Sequence, residues 1–221
     1  MSIGYQIMDG IKRPSLDMIK ALGDIPVPIL GDSMDRSSAI SSEIQPINSA
    51  RLAGCAYTVH VPAGDNLLLY YAIDQAYPGD IIVVDGGGFT ERALCGEIMV
   101  TYAMKRGLAG LVIDGAIRDK MELSRMKIPV FAKSSSPNGP NKNGPGKINV
   151  PVSVGGKIVC PGDIIIGDEN GIITINPKEA TQVLKTAHKL MEKEKMILDD
   201  IERNGHLDLR WMYQKIEHEM Q

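Results

Sequence analysis

Apolar positions recur along the chain with two spacings, three or four apart and continuous, and the changes between them mark out the elements. Leu16, Ile19 and Leu22 follow Ser15, whose hydroxyl can accept a free helical amide, and Gly23 closes the stretch, so the spacing predicts a short helix. Ile25–Pro28 holds two prolines and reads as a non-helical connector, with a second short helix expected over Asp32–Ile40. Ala53–Val61 has the β-branched and aromatic content of a strand ended by Pro62. Leu67, Leu68, Tyr71 and Ala72 then fall at helical spacing, which predicts a helix over Asn66–Ala76.

The middle of the chain carries the fold class. Ile81–Val84 is a short continuous apolar run, the pattern of a strand buried on both faces. A helix from about Leu94 to Arg106, stopped by Gly107, and a strand over Gly110–Ile113 complete a βαβ unit. Lys120–Met126 reads as a short helix and Ile128–Phe131 as a third strand, giving a sheet covered on both sides. Residues 134–146 contain no apolar side chain and form a long loop, either a mobile connector or a flap over a site. After two short apolar runs, Ile148–Val154 and Lys157–Val159, Pro161–Ile166 repeats the phrase of Pro78–Val83; a duplication and simple turn chemistry account for it equally well. From Pro177 to about Asn204 the chain reads as one long helix stopped by Gly205, followed by a short amphipathic tail. The expected organisation is a single α/β domain over residues 1–205 with a helical tail over 206–221.

Composition narrows the function classes. With 221 residues, 43% of them hydrophobic and 23% charged, the chain can bury one large core. Lys and Arg number 24 against 27 Asp and Glu, a net charge of -3, so no basic surplus is available for a nucleic acid. No run approaches the roughly 18 apolar residues of a membrane span, and Asp9, Lys12, Arg13 and Asp17 argue against a secretory signal. Cys55, Cys95 and Cys160 are odd in number and widely spaced, which suits a reducing cytoplasm and packing in the core.

Ligands of an open parallel sheet bind outside the carboxyl ends of its strands. Two such ends are polar here: Asp85 with the triple glycine Gly86–Gly88, leading to Gly96, Glu97, Ile98 and Met99, and Asp114 with Arg118 and Asp119. Free amides, a guanidinium and carboxylates make a site for a small anion and a hard divalent ion, Mg²⁺ or Mn²⁺. The glycine run lacks the third glycine of a dinucleotide fingerprint, and there is no phosphate loop or nucleophile elbow. His60, His188, His206 and His218 have no paired metal spacing and read as surface or core filler. Lys133 alone comes near the apolar setting of a Schiff-base lysine. On spacing alone, Arg118 and Asp119 also fit a helix-terminal Asp beside a surface Arg. On the last long helix Glu194 lies on the stripe of Leu184, Ala187, Leu190, Met191, Ile197 and Ile201, whereas Glu192 points off it.

Residues 79–123 resemble the central signature of the RraA-like family, which includes 4-hydroxy-4-methyl-2-oxoglutarate/4-carboxy-4-hydroxy-2-oxoadipate aldolases and the regulator of ribonuclease activity A. The likeness runs on through Pro129–Pro140 and Ile148–Ile175, and more weakly through Gly31–Arg36 and Ala53–Val59. It implies a β/β/α swivelling-type fold assembled as trimers or pairs of trimers, with sites at subunit contacts. The aldolase pattern of an acidic residue, twenty residues, then Arg-Asp is met by Glu97, Arg118 and Asp119, with Glu where the aldolases more often carry Asp. By resemblance, Arg118 and the backbone at Gly96, Ile98 and Met99 bind the substrate carboxylate. Asp119 then takes the metal, Glu97 supports its waters, and Glu194 reaches them from a neighbouring subunit. The implied activity is divalent-metal-dependent cleavage of a 4-hydroxy-2-oxo acid to pyruvate and a second carbonyl, with oxaloacetate decarboxylation beside it, in the cytoplasm. The alternative is a non-enzymatic protein that binds a ribonuclease.

Overall fold

The continuous apolar runs become the centre of a ten-stranded sheet in the computed structural model, which describes residues 3–220. β1 (Tyr5–Ile7), α1 (Leu16–Gly23) and α2 (Val27–Asp32) precede β2 (Gln45–Pro46) and the long β3 (Leu52–His60). Then come α3 (Leu67–Gln75), β4 (Asp80–Asp85), β5 (Ala93–Cys95), α4 (Glu97–Lys105), β6 (Gly110–Ile117), α5 (Lys120–Ser124) and β7 (Val130–Ser135). The chain closes with β8 (Gly146–Ile148), β9 (Val152–Val154), β10 (Lys157–Val159), β11 (Ile164–Asp168), β12 (Gly171–Ile175), α6 (Ala180–Asn204) and α7 (Arg210–Glu219).

The strands β3, β4, β6 and β7 run parallel side by side. Ile81 to Val84 and Leu111 to Ile113 are fully buried, which is why their sequence does not alternate. Period two still sorts them. Ile82, Val84, Leu111 and Ile113 face a core shared with α3 and α4, whereas Ile81, Val83, Val112 and Phe131 face a second core shared with the β9–β10 hairpin. A third core joins α1, α2 and the start of α6 to β11 and β12, which branch from β3 in antiparallel register.

Three of the departures from the expected boundaries have a local reason. The proline connector is the start of α2, because Pro28 sits in the first turn, where a missing N–H costs nothing, and the Val27 N–H is accepted by Asp168 Oδ2 at 3.0 Å. The helix expected over Asp32–Ile40 instead ends at Asp32, and Asp35 and Arg36 have φ of 52° and 58°, outside the helical region. The predicted helix from Leu94 begins only at Glu97, since Ala93 and Cys95 pair with Ala116 and Ile117 as β5.

The repeated phrases flank β3 on opposite edges: Cys55 pairs with Asp80 in the parallel ladder and with Ile164 in the antiparallel one. Both are turns of one design. Gly79 and Gly162 have φ near +90°, Asp80 accepts from Tyr77 N and Asp163 from Cys160 N. Asp80 also takes a forked pair of bonds from Arg13 at 2.8 and 2.7 Å. Cys55 and Cys95 are buried, and burial pushes both thiols up to about 12. Cys160 corrects the packing expectation; it stands exposed just past β10, where the chain turns back toward the sheet.

The apolar stripe of α6 is only partly used. Ala187 is buried and Leu184 and Leu190 pack on the third core, but Met191, Ile197 and Ile201 are exposed, as is all of α7 apart from the half-buried Leu209 cap and Met212.

Candidate active site

The end of β6 and the entry to α4 meet through β5. From Cys95 the chain passes through Gly96 in an extended conformation and starts α4 at Glu97. Opposite it, Asp119 is the N-cap of α5 with φ 55° and ψ 40°, a left-handed conformation that side chains other than glycine rarely adopt. The twist turns its carboxylate away from its own helix. Oδ2 instead accepts the backbone N–H of Glu97 at 3.0 Å and lies 3.6 Å from Arg118 Nε. Gly96 is a glycine for reasons of space, because a Cβ there would strike Asp119 Oδ2 and stand 2.8 Å from Arg118 Cγ.

The first turn of α4 is thereby sorted into used and unused donors. Glu97 N–H goes to Asp119 and Val100 N–H to Gly96 O, while Ile98 and Met99 keep amides with no intrahelical acceptor. Those amides, at the positive end of a helix, are suited to an anion. Gly96, Ile98, Met99 and Arg118 line one pocket of about 200 Å³. Asp119 stands on the other side of Arg118, lining an adjoining cleft with Lys120 and Ser136. Both side chains are partly open to solvent, Arg118 at 43% and Asp119 at 36%.

Residues that sequence reasoning did not single out complete the pocket. Asn66 donates Nδ2 to Leu94 O at 2.8 Å, and its Oδ1 is buried without a partner among the described residues. Tyr70 and Lys142 form the opposite wall, with the Lys142 ammonium 5.4 Å from the Tyr70 ring centre. Lys142 is the one charged residue of the 134–146 loop, and that was the available signal. This loop is a pinned wall: buried Asp65 accepts from Asn143 N at 2.6 Å and Gly144 N at 3.1 Å, and Asn138 O accepts from Ala93 N.

The structure separates what the strand ends were expected to bring together. Asp85 and Asp114 point to the hairpin-covered face, with Val83 and Val112, and line a different cleft that shares no residue with the Arg118 pocket. Lys133 lies there too, 2.9 Å from Glu43 Oε2, which raises its pKa; a Schiff-base lysine needs the opposite shift. His60 Nδ1 sits 3.2 Å from Asp85 Oδ2, and His188, His206 and His218 are exposed. Glu194 is exposed on α6, which packs on α1 and α2, and it does not line the pocket.

The donor set bears on the metal expectation. Among the described residues no three His, Cys, Asp or Glu side chains converge. Asp119 Oδ1 takes no hydrogen bond within them, and exposed Glu97 is the neighbouring carboxylate. Hard oxygens in so small a number fit an ion such as Mg²⁺ that keeps most of its water shell, and do not fit a caged or soft metal. No helix of the described residues is long and apolar enough to cross a membrane.

Known proteins resemble the chain over most of its length. It is 35% identical over 196 residues, 86% of this chain and 93% of the relative, to a Halalkalibacterium halodurans protein named "Putative 4-hydroxy-4-methyl-2-oxoglutarate aldolase". A Thermus thermophilus protein named 4-hydroxy-4-methyl-2-oxoglutarate aldolase is 36% identical over 57% of this chain and 76% of its own. Among solved structures, the RNA-processing inhibitor RraA from Thermus thermophilus superposes with a TM-score of 0.64 at 31% identity, covering 69% of this chain and 93% of that one. An uncharacterized Pseudomonas syringae protein shares the fold at TM-score 0.78 and 23% identity, over 87% and 96% of the two chains. The family described as RraA-like (Aldolase/RraA) matches residues 17–174, and with that match and the shared fold the chain belongs to the RraA-like family.

Proposed function

We propose that the protein is a divalent-metal-dependent aldolase that cleaves a 4-hydroxy-2-oxo acid, such as 4-hydroxy-4-methyl-2-oxoglutarate, to pyruvate and a second carbonyl compound. The observation that carries this reading is the placing of the Arg118 guanidinium and two unused α4 amides around one small pocket, with the Asp119 carboxylate beside it. The relatives named as aldolases support it.

Arg118 binds the 1-carboxylate and the 2-oxo oxygen of the substrate, and the Ile98 and Met99 amides hold the same carboxylate at the helix terminus. Cleavage of the C3–C4 bond leaves its electron pair on the pyruvyl fragment as an enolate, while the C4 hydroxyl loses its proton and becomes the new carbonyl. Negative charge therefore grows on the 2-oxo oxygen, and Arg118 is placed to steady it. Asp119 is the residue that would hold Mg²⁺ or Mn²⁺, with Glu97 on its waters. The ion supplies Lewis-acid stabilisation of that developing charge when bound. The same enolate arises from oxaloacetate by loss of CO₂, so decarboxylation belongs to this site as well. In a trimer or pair of trimers, Glu194 of the partner subunit completes the site by accepting the C4 hydroxyl proton through water, and a proton returned through that water to C3 turns the enolate into pyruvate.

The test is pyruvate release from a panel of 4-hydroxy-2-oxo acids and oxaloacetate, with Mg²⁺ or Mn²⁺ present and then chelated. Turnover that disappears with EDTA and returns with the metal is the expected result; turnover that survives exhaustive chelation sinks the metal role. The competing reading, a protein that binds a ribonuclease, is favoured by the name of the Thermus structural neighbour. It predicts inhibition of a ribonuclease that persists in Arg118→Ala, with no pyruvate from any substrate.

A further inference from the structure

A second polar cleft opens at the carboxyl ends of the parallel strands, on the face away from the Arg118 pocket. It follows from period two: Val83 and Asp85 on β4, Val112 and Asp114 on β6, and Phe131 and Lys133 on β7 project to the same side. The apolar residue of each pair feeds the core under the β9–β10 hairpin, and the charged residue one step on lines the cleft.

The decisive group is Asp114. It is 8% exposed, its Oδ2 accepts from Gly155 N at 2.8 Å, and its Oδ1 is buried with no partner among the described residues. A buried carboxylate oxygen left this way is costly unless a donor comes to it. Lys133 is not that donor, since its ion pair is with Glu43. Both groups nevertheless converge on Gly88: a Cβ there would lie 3.2 Å from Lys133 Nζ and 3.5 Å from Asp114 Oδ1. Gly88 has φ of +67°, so glycine is called for by conformation as well as by the approach of these two groups.

The surroundings select the chemistry of an occupant. Anions are disfavoured, because Asp85, Asp114 and Glu43 outnumber Lys133 and because the Gly87, Gly88, Ser153 and Gly155 amides are already bonded to Asp85 or Asp114. A metal cage is disfavoured because no three donor side chains converge among the described residues. A bare ammonium would meet Lys133. A hydroxyl satisfies both unlike groups, accepting from the Lys133 ammonium while donating to Asp114 Oδ1. Further hydroxyls can donate to the Asp85 and Glu43 carboxylates. We infer that this cleft is a binding site for a small neutral polyhydroxylated molecule, a polyol or sugar, held between Asp114 and Lys133 and separate from the Arg118 site.

Saturation-transfer NMR and calorimetry on the full chain test this, with sorbitol, glucose and glycerol as probes and ethanolamine and MgCl₂ as controls. Saturable binding of a hydroxylated probe is expected to be lost in Lys133→Met and Asp114→Asn and kept in Arg118→Ala. Lys133→Met carries the test if Asp114→Asn does not fold, because the Lys133 side chain is partly exposed. Three results overturn the inference: no hydroxylated probe saturates; binding survives in Lys133→Met but vanishes in Arg118→Ala; or ethanolamine or Mg²⁺ alone binds in a Lys133- and Asp114-dependent way.

Discussion

Asp119 Oδ2 accepts the backbone N–H of Glu97, 22 residues back along the chain, from a left-handed N-cap that leaves its own helix without a side-chain cap. One bond thus ties the start of α4 to the start of α5 and holds a carboxylate beside Arg118. Replacing Asp119 by Asn keeps an oxygen for the Glu97 amide but removes the charge that would hold a cation. Asp119→Asn is expected to retain its melting temperature and to lose turnover in the presence of Mg²⁺ or Mn²⁺. Asp119→Ala is expected to lose activity and also about 1 kcal/mol of stability, the usual scale for an unsatisfied helix terminus. Equal melting temperatures for the two variants would mean that the Glu97 contact is idle.

Gly96 carries no side chain because Arg118 and Asp119 occupy the space. Gly96→Ala therefore forces one of them aside, at a cost of about 1–3 kcal/mol for overpacking. The expected kinetic result is a large fall in kcat/KM with correct folding by circular dichroism. Wild-type kinetics in this variant would show that neither side chain needs its present position.

Arg118→Lys preserves charge but not the planar fork that grips a carboxylate and an adjacent oxo oxygen. A loss of about 2–3 kcal/mol in kcat/KM is expected, the scale of a charge-assisted hydrogen bond. Steady-state kinetics with pyruvate detection measures it, and near-normal values would move the anion site elsewhere.

Glu194 stands apart from the Arg118 pocket within one chain, so any part it takes must come from a second copy. Glu194→Gln is expected to cut activity without changing the oligomer seen by analytical ultracentrifugation. Mixing it with inactive Arg118→Ala under subunit exchange should restore part of the activity. No recovery despite demonstrated exchange would argue for sites built from one chain.

Cys55 and Cys95 are buried with thiols pushed up to about 12, whereas Cys160 is exposed. A thiol reagent at neutral pH should label one cysteine in the native protein and three after denaturation. Rapid native labelling of Cys95, beside Gly96, would reveal opening of the pocket wall.

The central strands were legible in the sequence because burial on both faces removes any need for alternation, as in Ile81–Val84, and turn residues bound each run. The spacing of Glu97, Arg118 and Asp119 was legible too, through resemblance to a family pattern, and so was the helix ended by Gly205, whose φ of 61° only glycine adopts freely. Other features rest on contacts between residues far apart in sequence. The start of α2 depends on Asp168, the shape of the 134–146 loop on Asp65, and the need for glycine at position 96 on the side chains of residues 118 and 119. Sequence proximity also placed Asp85, Asp114, Arg118 and Asp119 together at two strand ends. Tertiary structure divided them, because period two sends Asp85 and Asp114 under the hairpin, while β6 runs on to Ile117 before Arg118 and Asp119 turn toward α4. Local pattern determines which segments are buried and where they turn; the face on which a side chain emerges, and what meets it there, is decided by strand register and by partners that the chain supplies from elsewhere.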